Sequence, residues 1–210
     1  MRVILASTSP RRRDLLSLLE VPFELGIPVF EERIVAGSTA KELVAEFARR
    51  KATSVAQQNP EAVVLASDTL IQLDGEVLGK PQDLPQARAT LRRMAGREHL
   101  VQTAVALCCV ARRVYLAEVA TARVWMKPFD AATHECYLAT GDSLGKAGAY
   151  SIQGPGIELI DRLDGDFTTV VGFPLRLVAN LLAQGGVKVP VDVDALYVSK
   201  PYGNWPRFRG

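Results

Sequence analysis

Three consecutive arginines, Arg11, Arg12 and Arg13, follow Ser9 and Pro10 in the run Leu5-Ala-Ser-Thr-Ser-Pro-Arg-Arg-Arg13. Ser9 suits a helix N-cap and Pro10 a first helical position. The arginines then fall at the positive end of the helix dipole, where cations are disfavoured. An anion among them removes that conflict, and free N–H groups beside guanidinium forks suit a polyphosphate. The alternative is a solvated basic turn. Arg11, Arg12, Lys51 and Lys80 together can neutralise a triphosphate, and Glu32 and Asp68 can hold a hard divalent ion through oxygen. His99 and His134 are far apart in the chain, and no cysteine stands out as a nucleophile. Metal-assisted attack by water is therefore the economical chemistry. Taken singly, each residue has a plainer reading: Asp68 as a cap, Glu31 and Glu32 as a solvated pair, Lys80 as a surface lysine.

The elements that must position these residues alternate in the first half of the chain. Residues 2–6 read as a strand, and Leu15, Leu16, Leu18 and Leu19 give the apolar face of a helix. A second strand is expected over 22–27. A helix is expected over 39–58, with Thr39 as N-cap and Glu42 completing a capping box. Lys51 lies on or beside its apolar stripe, where it either snorkels or aims into a cleft. Residues 62–66 are a continuous apolar strand of the doubly buried kind, ending in Ser67-Asp68-Thr69, so Asp68 is expected at a strand's C-terminal end. Asp74-Gly75 marks a hairpin, and residues 84–95 read as a helix. Two long strands over 99–111 and 114–126 follow, then a short helix near 131–138 and a Gly-rich stretch over 141–156. A strand is expected over 157–163, and a last helix opens at Gly172-Phe173-Pro174 and ends near Gln184. A mixed α/β fold with a cleft between two lobes follows from this order. Residues 1–185 form the expected domain and 186–210 a C-terminal extension.

Composition narrows the function classes. The chain has 210 residues, 48% hydrophobic and 23% charged, as in ordinary globular proteins. A net charge of +2 gives no argument for nucleic-acid binding. No apolar run reaches the roughly 20 residues of a membrane span, and the N-terminus lacks a secretory pattern. Cys108, Cys109 and Cys136 argue against a disulfide framework and for a reducing, cytoplasmic setting. Residues 141–146 have the wrong spacing for a Walker A loop, and Gly154-Pro155-Gly156 lacks the third glycine of a dinucleotide fingerprint.

The motifs in combination resemble the Maf family, once described as septum-formation inhibitors and understood as nucleoside triphosphate pyrophosphatases. The resemblance covers about residues 3–184. It rests on Leu5-Ala-Ser-Thr-Ser-Pro-Arg-Arg12, Phe23 with Glu32, Ala48-Arg-Arg-Lys51-Ala52, Ser67-Asp68-Thr69, Gly79-Lys80-Pro81, Lys146-Ala-Gly-Ala-Tyr-Ser-Ile-Gln153-Gly154 and Val170-Val-Gly-Phe-Pro174. It implies a fold like that of inosine triphosphate pyrophosphatases, with a long mixed β-sheet, flanking helices and two lobes around a central cleft. It also implies hydrolysis of a nucleoside triphosphate to the monophosphate and pyrophosphate with Mg²⁺ or Mn²⁺, in a homodimer. By position it makes Asp68 the proton acceptor and a candidate metal ligand, and Glu32 the metal or water-positioning carboxylate. Ser7, Arg12, Lys51 and Lys80 match phosphate-binding positions.

Three positions bear on the base. Arg11, Thr69 and Gln153 resemble the branch acting on dTTP and UTP. The branch acting on 7-methyl-GTP has Trp, Gln and Glu at the corresponding places. A tryptophan can stack on a cationic methylated purine, whereas a glutamine amide can pair with the acceptor–donor edge of uracil or thymine. The alternatives are a 7-methyl-GTP enzyme of the same family and a nucleotide-binding division regulator without turnover. Phe173 and Thr168-Thr169 depart from the family pattern, and the tail from Gly186 has no counterpart in it. That tail reads either as a frayed or surface-packed extension or as a cover for a dimer partner or the cleft.

Overall fold

The computed structural model describes residues 1–31, 33 and 37–208. The chain opens with β1 (Val3–Ala6), buried throughout, and α1 (Pro10–Ser17), with Ser9 as its N-cap residue. After β2 (Glu24–Gly26) comes α2 (Ala40–Ala56). Its start is the expected capping box: Thr39 accepts from the Glu42 N–H, and the Glu42 side chain accepts from Thr39. Then follow β3 (Val63–Leu73), β4 (Glu76–Leu78), α3 (Leu84–Met94), β5 (Glu98–Cys109), β6 (Val114–Met126) and α4 (Ala131–Ala139). The second half closes with β7 (Ile160–Asp164), α5 (Phe167–Val171), α6 (Leu175–Gln184) and α7 (Val193–Ser199). Among the described residues no helix is long and apolar enough to cross a membrane.

The strands form one mixed sheet in the order β2-β1-β3-β5-β6-β7, with β4 added to β3. β1 runs parallel to β2 and β3, and the remaining pairs are antiparallel. β3 is its axis. It pairs with β5 from Val64 to Gln72, with β1 over Val63–Leu65 and with β4 over Ile71–Leu73. Among the described residues, the β3 edge opposite β5 has no strand neighbour between Leu65 and Ile71. The sheet divides there into two lobes, and the chain leaving β1 at Ser7 turns into α1 beside the gap.

Side chains alternate across a strand, and β3 and β5 use both faces. Val64, Ala66, Leu70, Ala104, Ala106 and Cys108 pack with α2 in one core. The small β5 residues on that face let the helix approach closely. Val63, Leu65, Ile71, Val105 and Leu107 belong to the larger core on the opposite face, with α1, α3 and α6. Cys108 and Cys109 are buried in the strand as expected of small hydrophobes.

Three sequence expectations change. The strand expected to end at Asp68 continues to Leu73, so Asp68 stands in mid-strand. Its polar neighbours Ser67 and Thr69 do not break the strand because each finds a buried partner. Pro155–Leu159 is a 3-10 turn, and the strand starts only at Ile160, since Pro155 has no N–H for a ladder and sits at the start of the turn. The helix ending at Gln184 is followed by α7 and a 3-10 turn over Trp205–Arg207. Trp205 and Tyr197 of this tail are buried in the larger core.

Candidate active site

The gap beside β3 opens into a cleft lined mostly by polar and charged side chains. Asp68 and Thr69 line it from β3, Arg11 and Arg12 from α1, and Lys51 from α2. Lys80 comes from the end of the hairpin, and Gln153 from the segment after the Gly-rich stretch. An adjoining hollow shares Arg11, Arg12, Lys51 and Lys80 and adds Ser7. The tertiary structure thus brings together residues from five segments of the chain. Glu32 lies outside the described residues.

Strand alternation sets the chemistry of the two walls. Asp68 projects to the α2 face, where Lys51 Nζ donates to its Oδ1 in an ion pair with side chains 12% and 4% exposed. Of the two readings of Lys51 offered by its place on the helix, the cleft-directed one holds. Two opposite charges in a desolvated place require each other, and removing one leaves the other uncompensated.

Ser67 and Thr69 project to the other face. Ser67 Oγ donates to the Gly172 carbonyl at 2.9 Å, and Arg12 Nε donates to the same oxygen at 3.0 Å. Arg12 Nη2 also reaches Thr69 Oγ1 at 3.3 Å. Thr69 Oγ1 shares a bond with Thr103 Oγ1 at 3.0 Å, and Thr103 donates to the Thr169 carbonyl at 2.8 Å. The guanidinium is therefore pre-positioned by β3 and by the end of α5. Gly172 makes this possible. It terminates α5 at φ +107, and a Cβ there would lie 3.0 Å from Thr69 Oγ1. Gly172, expected to open the last helix, instead closes α5, and Thr103 is a polar residue in an apolar run with no local signal of this role.

The start of α1 is built as expected, with one difference. The Ser9 side chain makes no capping bond, and the Ser9 N–H instead donates to Ser7 Oγ at 3.1 Å. Ser7 is thereby a structural cap of the loop as well as a lining residue. Arg13 turns to solvent beside Asp14, while Arg11 and Arg12 remain half-buried at the cleft.

The opposite wall comes from the Gly-rich stretch. Gly148 sits at φ +69, and a Cβ would meet Ile71 Cδ1 at 2.6 Å, so the absence of a side chain favours the close lie of this segment on β3. Its N–H donates to the Gly79 carbonyl, next to Lys80. Lys146, a motif residue with no role expected from the sequence, lines the cleft and pairs with Asp142 at 3.0 Å. Below, Tyr150 hydroxyl and His99 Nε2 share a bond of 2.8 Å. Burial pushes the Tyr150 phenol far up and the His99 imidazole down to about 4, so both stay neutral. Gln153 Oε1 is buried, with no hydrogen-bond partner among the described residues. A buried amide oxygen of this kind calls for a donor, and the N3–H of uracil or thymine is one.

Among the described residues no group of three or more His, Cys, Asp and Glu side chains is gathered as a metal cage. The one described carboxylate in the cleft, Asp68, still fits Mg²⁺, which is usually held by one or two carboxylates together with substrate phosphates.

Comparison with known proteins agrees with this architecture. The family model described as Maf-like protein matches residues 2–185. A dTTP/UTP pyrophosphatase of Bacillus velezensis is 39% identical over 187 residues, 89% of this chain and 98% of that protein. The dTTP/UTP pyrophosphatase of Deinococcus radiodurans is 42% identical over 186 residues, 89% and 94% of the two chains. That of Thermus thermophilus is 44% identical over 184 residues, 87% and 95%. Among solved structures, the Staphylococcus aureus Ham1 protein superposes with a TM-score of 0.51 at 14% identity, covering 89% of this chain and 97% of that one. At that identity the likeness concerns the fold, which is the two-lobed mixed sheet expected from the sequence. With a family match spanning nearly the whole sheet and all the described cleft residues, the chain belongs to the Maf-like protein family.

Proposed function

We propose that the protein hydrolyses dTTP and UTP to the monophosphate and pyrophosphate, by attack of water on the α-phosphate. The observation that carries this reading is one cleft in which Asp68 stands among Arg11, Arg12, Lys51 and Lys80. The activity named for relatives 39–44% identical supports it. A triphosphate carries the charge that such a cluster neutralises, and pyrophosphate is the leaving group that gains most from it.

The residues divide the work. Asp68 takes the proton of the attacking water. Lys51 balances the Asp68 charge before substrate arrives and turns to phosphate oxygen when it does. Arg12, held by Gly172 and Thr69, presents its remaining N–H groups to the phosphates. Lys80 and Ser7 complete the phosphate cradle. Gln153 accepts the N3–H of the pyrimidine and Arg11 lies near it. Asp68 and Glu32, with phosphate oxygens, would hold Mg²⁺ or Mn²⁺. Such an ion, when bound, supplies charge neutralisation and a more acidic water.

Arg11 argues against 7-methyl-GTP as substrate, because its guanidinium shares the cleft with the place of the base and repels a cationic purine. The reading includes a homodimer in the reducing cytoplasm. All three cysteines are free thiols. Leu25, Ile27 and Val29, at and just beyond the β2 edge, are 56%, 77% and 76% exposed, an apolar strip that a second copy would cover. Sedimentation of the pure protein as a monomer would remove the dimer.

The deciding experiment is pyrophosphate release with Mg²⁺ from dTTP, UTP, CTP, GTP and 7-methyl-GTP. Release from dTTP and UTP is the expected result. Release from 7-methyl-GTP alone overturns the base assignment, and tight nucleotide binding without release overturns the enzyme.

A further inference from the structure

Residues 186–208 lie beyond the family match, yet they are tied to the cleft from behind. α7 places Tyr197 with its hydroxyl 3.1 Å from Thr168 Oγ1, and Tyr197 also accepts from the Arg176 N–H at 3.4 Å. Trp205 stacks on Phe167, with ring centroids 5.8 Å apart and an interplanar angle of 9°, and meets Tyr197 edge-on at 4.9 Å. Phe167 and Thr168 open α5, whose last carbonyls hold Thr103 and, through Gly172, Arg12. Thr168 is one of the departures from the family pattern, and it is the tail that touches it.

The other end of the tail reaches the base side of the cleft. Asn204 Nδ2 donates to the carbonyls of Ile152 and Gln153, each at 3.0 Å. Tyr202 lies beside the Gln153 side chain and near Arg11. One exposed pair, Arg207 with Glu158 at 2.7 Å, fastens the same stretch to the 3-10 turn that follows Gln153. Within the segment itself the Gln153 N–H reaches Ser151 Oγ at only 3.4 Å.

We propose that the tail is a clamp that fixes the Gln153 segment for base recognition, with Asn204 as its positioning residue and the Tyr202 hydroxyl set against the Gln153 amide. The inference rests on Gln153 reading the pyrimidine. Physically, an amide that must meet an N3–H within a few tenths of an ångström gains from a backbone held at two successive carbonyls, because the ordering is completed before the ligand arrives.

The test uses the full-length chain with Asn204→Ala, Tyr202→Phe and, on the exposed face of α7, Val198→Ser as a control. Hydrogen exchange without ligand should quicken at residues 152–154 in Asn204→Ala while β3 and β5 amides stay protected. In turnover, Asn204→Ala should raise KM for dTTP about tenfold, the size of one or two neutral hydrogen bonds, with kcat within about twofold of wild type and discrimination against CTP reduced in proportion. Tyr202→Phe should lower the same discrimination. Unchanged exchange at 152–154 overturns the clamp, and quickened exchange with unchanged KM overturns its role in recognition. An equal effect from Val198→Ser shows general destabilisation and also overturns it. Absence of turnover in the wild-type chain would remove the pyrophosphatase reading alone. The exchange measurement would then decide the clamp by itself.

Discussion

At the residue scale, the site is a contest between one buried carboxylate and several cations, resolved by strand alternation. Asp68 and Thr69 are neighbours in sequence but serve opposite faces of β3, one meeting Lys51 and the other Arg12. Asp68→Asn should lower kcat for dTTP about 10²- to 10⁴-fold, the range for loss of a general base, while dTTP affinity persists. Steady-state pyrophosphate release and calorimetric binding check the two halves of that statement, and an active, cleanly prepared Asp68→Asn protein would refute the role. Arg12→Lys keeps the charge but loses the fork that grips Gly172 and Thr69. KM for dTTP should rise about tenfold with little change in kcat, measured in the same assay; unchanged KM would mean that Arg12 is held for structural reasons alone. The types of these residues, and their grouping around one polyphosphate, could be read from the chain. Their pairing could not, because Lys51 and Asp68, or Arg12 and Gly172, are separated by long stretches whose folding brings them together.

At the element scale, glycine and threonine positions decide how closely segments approach. The capping box at Thr39 and Glu42 was legible because it is local, involving four successive residues. Gly148 was not, since the atom it must clear is Ile71 Cδ1, on a distant strand. Gly148→Ala would force both a left-handed backbone and a contact at 2.6 Å. It should destabilise the fold by about 2 kcal/mol and also weaken nucleotide binding, since the segment carries Lys146 and leads to Gln153. Urea unfolding and dTTP titration would show it, and wild-type behaviour in both would mean that the Gly-rich stretch is not pressed onto β3 in solution. The middle of β3 teaches the same lesson. Ser67-Asp68-Thr69 interrupts an apolar pattern and reads locally as a strand end. Burial with hydrogen-bond partners on both faces and continuous pairing with β5 carries the strand through, and β1 and β4 on the opposite edge stop instead.

At the scale of the whole molecule, stability should depend on pH through His99. Burial holds its pKa at about 4, well below the ordinary value of a histidine, and it meets Tyr150 beneath the cleft. The unfolded chain therefore binds the proton first on acidification. The stability due to a neutral His99 is full above about pH 6.5, where the unfolded histidine is also neutral, and is lost as pH falls toward 4. The change is about 3 kcal/mol. Urea midpoints at pH 7 and pH 4.5 should differ more for wild type than for His99→Gln, and equal differences would refute the assignment.

By itself the sequence determined the mixed α/β class, the α1 start with its misplaced arginines, the α2 cap, the hairpin, and the set of charges suited to a triphosphate. All of these follow from local spacing and composition. Only the tertiary structure decided that β3 runs unbroken through the site and that Lys51 turns inward to Asp68. It also decided that Gly172 holds Arg12 and that the tail packs behind α5 and onto the Gln153 segment. Each of these is a contact between residues far apart in the chain, and its energy comes from burial and hydrogen bonding that local pattern does not encode.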